Sequence, residues 1–290
     1  MAIVDRFHTM KARVTRQLAR RSFHFLERHL DLHVTANEYY SPIPSVKDLT
    51  PDVYERPFSM MGVDMNETGQ MELLDTTFSS YADEYVPQPN GGLSLADAFA
   101  LYALIRERKP RKMVEIGGGD STLIAMRAVE KNRTEGFPCH FTCIEPYPRQ
   151  FLRDAHWPDY ELVTELVQNV PVAMFTDADI VFIDSSHVSK IGSDVNYEFL
   201  EIVPHTPVGC LIHWHDIVLP TNYWKDWTEL SGQFWNESYM LHAFLLYNNA
   251  FSVRWAARYM QRLYPAKLHE RFPYLTAGHR LSSFWVERVN

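Results

Sequence analysis

Cysteine is scarce, with Cys139, Cys143 and Cys210 the three in 290 residues. An odd number without C-x-x-C spacing argues against a disulfide framework or a structural zinc site and fits a reducing, cytoplasmic setting. No apolar run approaches the roughly 18 to 20 residues that a bilayer-spanning helix needs. The first residues also lack the apolar core of a secretion signal. A soluble chain with no stable membrane insertion is therefore expected. Positive charge is short as well: 28 Lys and Arg stand against 36 Asp and Glu, a net charge of −8, which is the wrong sign for coating nucleic acid. No G-x-S-x-G stands in the chain, so a serine-hydrolase reading has no support.

What is present is an ordinary globular composition, 46% hydrophobic and 22% charged, enough to bury a substantial core. The charge is uneven. Residues 1–30 carry Arg6, Lys11, Arg13, Arg16, Arg20, Arg21 and Arg28 against Asp5 and Glu27, a net +5 that leaves −13 for the remainder. Phe7, Met10, Val14, Leu18, Phe25 and Leu26 recur at mostly three- and four-residue steps, the period of an amphipathic helix with a basic outer face. This helix is read as docking on an acidic surface of its own chain rather than on an anionic membrane. The prolines of Tyr39-Tyr40-Ser41-Pro42-Ile43-Pro44 enforce an extended or turn segment, and the two tyrosines suit either closure over a pocket or simple packing. Residues 45–90 read as irregular and rich in turn formers, with a boundary near residue 90 at Pro87-Gln-Pro-Asn-Gly-Gly92. Two regions result, a helix and cap segment over 1–90 and a second domain over 91–290.

Beyond residue 90, Ser94 caps a helix to Arg108. Short apolar runs then alternate with helical stretches: Lys112–Ile116, the helix Ser121–Lys131, Phe141–Ile144, Leu162–Val167, Ile180–Ile183, the helix Asp194–Ile202 and Gly209–Trp214. Alternation of strand and helix predicts an α/β fold with a mostly parallel sheet flanked by helices. A helix Glu237–Tyr247 follows, and then Phe251–Ala257 and Ser282–Val289, two strands suited to antiparallel pairing at a sheet edge.

The most informative segment is Glu115-Ile-Gly117-Gly118-Gly119-Asp120-Ser121-Thr122, where an apolar strand runs into three glycines and a helix. A dinucleotide fold wants G-x-G-x-x-G, but Thr122 stands at the third glycine position, and the lysine of a P-loop is absent. The acid two residues before Gly117 repels phosphate and suits a cationic ligand. Phe141-Thr-Cys-Ile-Glu145-Pro146 places a second acid at the end of the next strand.

These segments, with Tyr39-Tyr40-Ser41-Pro42, Phe182-Ile-Asp184-Ser-Ser-His187, Gly192-Ser-Asp194-Val, His213-Trp-His215-Asp216-Ile-Val-Leu-Pro220 and Trp235-Asn-Glu237, resemble the class I S-adenosylmethionine-dependent methyltransferases, and among them the small-molecule methyltransferases of type 24. The resemblance extends from about residue 38 to 250. It implies a Rossmann-like seven-stranded sheet with an N-terminal helical and loop cap, and S-adenosyl-L-methionine as cofactor. It also implies cofactor contacts from Glu115, Gly117, Gly119, Ser121, Glu145, Gln168 and Asp184. Glu145 would accept both ribose hydroxyls, and Gln168, with Asn169, falls where the class contacts adenine.

Three of the thirteen histidines, His187, His213 and His215, lie at the ends of what the resemblance makes neighbouring fourth and fifth strands. An imidazole with an ordinary pKa near 6.5 suits removal of a proton from an acceptor hydroxyl, which makes His187 or His215, with Asp216, the catalytic candidates. Asp184, His187, His215 and Asp216 equally offer ligands for a divalent metal ion that holds and acidifies the acceptor. Asp184 and Asp216 match the aspartates of metal-dependent class I O-methyltransferases, and the histidines tilt the set from magnesium toward a transition metal. His213 reads as a core residue. Glu237 suits either the acceptor side or the first turn of a helix capped by Asn236. The expected activity is methyl transfer to an oxygen of a small polar molecule, the expected partner that small-molecule acceptor, with a homo-oligomer left open. Two alternatives remain: an iron redox enzyme using Asp184, His187 and His215, and a non-catalytic S-adenosylmethionine-binding module.

Overall fold

The apolar runs beyond residue 110 become seven strands: β1 Lys112–Ile116, β2 His140–Ile144, β3 Tyr160–Val163, β4 Ile180–Ile183, β5 Leu211–Trp214, β6 Phe251–Ala256 and β7 Phe284–Arg288. The computed structural model describes residues 2–88, 91–276 and 278–290, with side chains for all of these except residues 2–9, 12, 20 and 21. The strands form one sheet in the order β3-β2-β1-β4-β5-β7-β6. The first five are parallel, and β7 inserts antiparallel between β5 and β6. All four residues of β4 are buried, the burial expected of a strand covered on both faces. The chain runs outward through β2 and β3 and returns to β4 beside β1, so strand order switches between β1 and β4. Ligands of open α/β sheets sit at the carboxyl ends of the strands at such a switch.

The chain divides into two compact units, Met1–Arg56 with Trp224–Phe234, and Pro57–Tyr223 with Trp235–Asn290. The boundary expected near residue 90 falls on Pro89 and Asn90, outside the described residues, and residues 57–88 group with the sheet. In the first unit, α1 covers Ala2–Leu30. Residues 33–38 pack beside its Arg16, Ala19 and Phe23, where Arg16 pairs with Glu38 and the Phe23 and His33 rings stack at 5.1 Å. The apolar stripe read as the inward face stands exposed at Met10, Val14, Leu18 and Phe25, because the packed segment meets a different side of the helix. Tyr39 and Tyr40 are exposed, meeting edge to face at 5.3 Å.

In the sheet unit, residues read as irregular contain α2, Glu67–Leu73, which continues through a π-helical turn, Leu74–Phe78, to Tyr81. The π turn breaks the 3.6-residue period, and that hid the helix from its sequence. Asn66 starts it from a left-handed backbone: its side chain accepts from Gly69 N and donates to Val253 O. Next, α3 spans Leu95–Arg108 with Ser94 as its cap, and α4 spans Asp120–Thr134 directly after the glycines. β3 ends at Val163 rather than Val167, since its partner β2 ends at Ile144, the residue paired with Val163. The helix expected over 194–202 is α5, Asp194–Tyr197, running into a second π turn, Glu198–Ile202. Finally, α6 spans Glu237–Leu245. Phe78, Phe99, Phe182, Trp214, Trp255 and Trp285 are fully buried at the centre of the core.

Candidate active site

A cleft of about 380 Å³ opens at the carboxyl ends of β1, β2 and β4, with Gly117, Glu145, Gln168 and Asp184 among its walls. Glu145 Oε1 accepts from the Tyr147 amide at 2.8 Å, a local turn that holds the carboxylate at the end of β2. Gln168 Nε2 donates to Gly192 O at 2.9 Å and so joins the two loops that close the far side; Asn169 does not line the cleft.

The glycine turn is built differently from the sequence expectation. Gly117 has φ +87, and a Cβ there would lie 1.9 Å from the Asp184 carbonyl oxygen. Its side-chain position is thus filled by the neighbouring strand's backbone, while its other side faces the cleft. A Cβ on Gly118 would meet Cys143 Sγ at 2.3 Å. Glu115, Gly119 and Ser121 do not line the cleft. Glu115 is fully buried, and its two oxygens accept from the Ser121 and Thr122 hydroxyls, each at 2.6 Å. Burial pushes its carboxyl up to about 7 against the two hydroxyl donors. A strand side chain on that face points away from the cleft into the packing against α4, so Glu115 and Ser121 brace the turn.

Beside the cleft, the ends of β4 and β5 bring titratable groups together. His187 Nε2 lies 3.4 Å from Asp184 Oδ1 and 3.5 Å from Asp216 Oδ2. One ligand atom from each of Asp184, His187 and Asp216 falls within 4.8 Å of the others, a spacing that one metal ion can span. His215 stands outside that trio: its Nε2 is 3.5 Å from Asp216 Oδ1 and 3.5 Å from Ser282 Oγ. The two-histidine, one-carboxylate set of the iron alternative is therefore not assembled among the described residues. His213 is a core side chain, stacked on Phe182 at 4.0 Å, and burial drives its pKa far down.

Both His187 (φ 60) and Asp216 (φ 54) hold left-handed backbone, a conformation that costs a non-glycine residue about 1–2 kcal/mol. Such strain persists only where surroundings enforce it. For His187 the enforcement is visible, since its carbonyl accepts from Asn236 N and Glu237 N. The electrostatics run against burial. Burial would raise Asp184, but the His215 and His187 imidazoles hold it below its ordinary value. Burial would lower His187 and His215, yet the surrounding carboxylates, Asp184 and Glu237 for His187 and Asp216, Asp184 and Asp97 for His215, raise both.

Sequence reasoning left the role of Glu237 open and passed over Ser282 and Asp97. Glu237, 1% exposed, accepts from His187 Nδ1 at 2.8 Å. Asn236 does not cap α6 with its side chain; it bonds both backbone groups of Ser189 instead. Ser282 Oγ donates to Asp216 Oδ1 at 3.1 Å, and the fully buried Asp97 accepts from the Ser282 and Ser283 amides behind it. Asp97 stands three residues after Ser94, so in sequence it passes for part of a helix cap; Ser282 gives no signal at all.

The sequence model of the Methyltransf_24 family, described as a methyltransferase domain, matches residues 114–217, the span from β1 through the end of β5. An uncharacterized protein of Archaeoglobus fulgidus is 30% identical over 190 residues, 58% of this chain and 84% of that one. Residues 114–217 form a methyltransferase domain of the Methyltransf_24 family. Among solved structures, the methyltransferase is similar to the O-methyltransferase TomG from Streptomyces achromogenes, in complex with SAM. The identity is 16%, covering 80% of this chain and 94% of that one, with a TM-score of 0.44. It is also similar to the SAH-bound methyltransferase PaMTH1 of Podospora anserina, at 13% identity over 77% and 87% of the two chains, TM-score 0.46. The matched segment carries Glu115, Glu145, Asp184, His187, His215 and Asp216; Glu237 and Ser282 lie beyond it.

Proposed function

We propose that the protein transfers a methyl group from S-adenosylmethionine to an oxygen of a small polar acceptor, in the cytoplasm, where three buried free cysteines are at home. The observation that carries this reading is the Asp184–His187–Asp216 cluster standing at the edge of the cleft that ends in Glu145. An acidic cleft fits a cofactor that bears an ammonium and a sulfonium, and Glu145 is an acceptor-only group suited to two ribose hydroxyls. Gln168 is assigned to the adenine side, Gly117 and Asp184 to the cleft floor. Glu115, Gly119 and Ser121 act on the cofactor only by shaping the turn. When bound, S-adenosylmethionine supplies an electrophilic methyl group, and a divalent cation supplies charge that favours an ionised acceptor oxygen.

The side chains do the rest. Two carboxylates and an imidazole nitrogen within 4.8 Å suit a first-row transition cation better than magnesium, which prefers oxygen alone. Asp184, His187 and Asp216 would hold it. His215, supported by Asp216 and Ser282, is assigned the acceptor's proton: a raised pKa makes its neutral form a stronger base. Positioning donor and acceptor in line accounts for much of the remaining acceleration.

The test follows S-adenosylhomocysteine release with a panel of small hydroxylated acceptors, with and without manganese. His215→Ala and Asp216→Asn are expected to lower turnover by about 100-fold or more. Wild-type turnover in both variants would overturn the site assignment. Cofactor binding with no release on any acceptor would favour a non-catalytic module.

A further inference from the structure

Glu237 is costly where it stands. Its side chain is 1% exposed, Oε2 has one partner, and Oε1 has none among the described residues. A carboxylate taken from water and left half-satisfied costs several kcal/mol, and an apolar or amide side chain of similar volume fills the same space more cheaply. Its single bond goes to the atom that matters, Nδ1 of His187, at 2.8 Å.

The link is reinforced by the backbone and side chains of both segments. Asn236 N and Glu237 N donate to His187 O at 3.1 and 3.3 Å. Ser189 N donates to Asn236 Oδ1 at 2.6 Å, and Asn236 Nδ2 donates to Ser189 O at 3.2 Å. The start of α6 therefore clamps the loop after β4, and Trp235 closes one side of the imidazole at 4.4 Å between ring centroids. With Nδ1 donating to a carboxylate, Nε2 is the nitrogen left to face Asp184 and Asp216.

We infer that Glu237 is a positioning residue: it fixes the His187 ring and its Nδ1–H tautomer so that Nε2 serves as the nitrogen ligand of a first-row divalent cation. This rests on the cation reading proposed above and deepens it. The general precedent is physical: a buried carboxylate behind a ligating histidine sets its orientation and raises its basicity, and removing such a partner weakens cation binding about 10- to 100-fold. Magnesium, which gains little from an imidazole, depends on the pair far less.

The experiment titrates cobalt(II) and magnesium, each alone, into wild type, Glu237→Gln and His187→Ala, by calorimetry and, for cobalt, by its visible absorption. Glu237→Gln is expected to bind cobalt about 10- to 100-fold more weakly with magnesium affinity and S-adenosylhomocysteine affinity changed less than about threefold. Equal cobalt affinity in wild type and Glu237→Gln, with His187→Ala impaired, overturns the role of Glu237 alone. No binding of either cation to wild type overturns the cation reading itself. Should Glu237→Gln fail to fold, ring ¹⁵N shifts of His187 in zinc-loaded wild type decide: a protonated Nδ1 with a metal-bound Nε2 supports the inference, and the opposite tautomer refutes it.

Discussion

Gly117→Ala separates what the glycine turn does for the fold from what it does for a ligand. Alanine at 117 must keep φ near +87, at a cost of about 1 kcal/mol or a little more over glycine. Its Cβ would sit 1.9 Å from the Asp184 carbonyl oxygen and 2.7 Å from the carbonyl carbon. Relief therefore requires β1 and β4 to part by more than about 1 Å in a close-packed interior. The strands cannot part freely, because Asp184 N donates to Ile116 O and every residue of β4 is buried. Overpacking of that kind costs about 1–3 kcal/mol. The sum, about 2–4 kcal/mol, is a large share of a typical domain stability of about 5–15 kcal/mol. A fall in thermal midpoint of roughly 5 to 15 °C follows. Gly119→Ala is the internal control. Gly119 has φ −169 with open space around a Cβ, so its stability should change by less than about 0.5 kcal/mol. Thermal unfolding of both variants, paired with calorimetric S-adenosylhomocysteine binding, checks the reasoning. A Gly117→Ala protein that melts within about 2 °C of wild type would refute it, as would a Gly119→Ala protein that melts as early as Gly117→Ala.

Glu115 should make stability depend on pH. Its carboxyl is pushed up to about 7 by burial, so between about 4.5 and 7 the folded state holds a proton that the unfolded chain has released. Its contribution is fully present below that window and lost as pH rises through it, by about 3 kcal/mol at most. Urea titrations at pH 5 and pH 8 should show the wild type losing more stability across the interval than Glu115→Gln; parallel losses would contradict the assignment. Arg106 is 3% exposed and joins Glu84 at 2.5 Å, Glu135 at 2.6 Å and Asn132. Removing it leaves Glu84 and the buried Asn132 amide without their cation and Glu135 with Lys109 alone, so Arg106→Met should cost about 3 kcal/mol. An unchanged urea midpoint would show that the hub contributes nothing.

Much of the catalytic sheet was legible because its residues obey local rules. A fully buried run such as Ile180–Ile183 carries its own strand signal, Ser94 with Asp97 marks a helix start, and the spacing of Glu115, Gly117 and Glu145 follows from two successive strands ending at one edge. The features that escaped break those rules. The helix from Glu67 is interrupted by a π turn, and the apolar stripe of α1 reads as a buried face but is exposed.

For this protein the linear order of residues determined the α/β class and the strand ends that carry the histidine and aspartate candidates. These depend on periodicity and on residues close in the chain. Tertiary structure alone decided which candidates act together. It turned Glu115 inward onto Ser121 and Thr122, and it left His215 beside the trio of Asp184, His187 and Asp216. It also brought Glu237 and Ser282, 50 and 66 residues from the partners they hold, to the back of the site. The reason is physical: a strand fixes which way its side chains face only once its neighbours are in register, and a buried hydrogen bond between distant segments leaves no periodic trace in either of them.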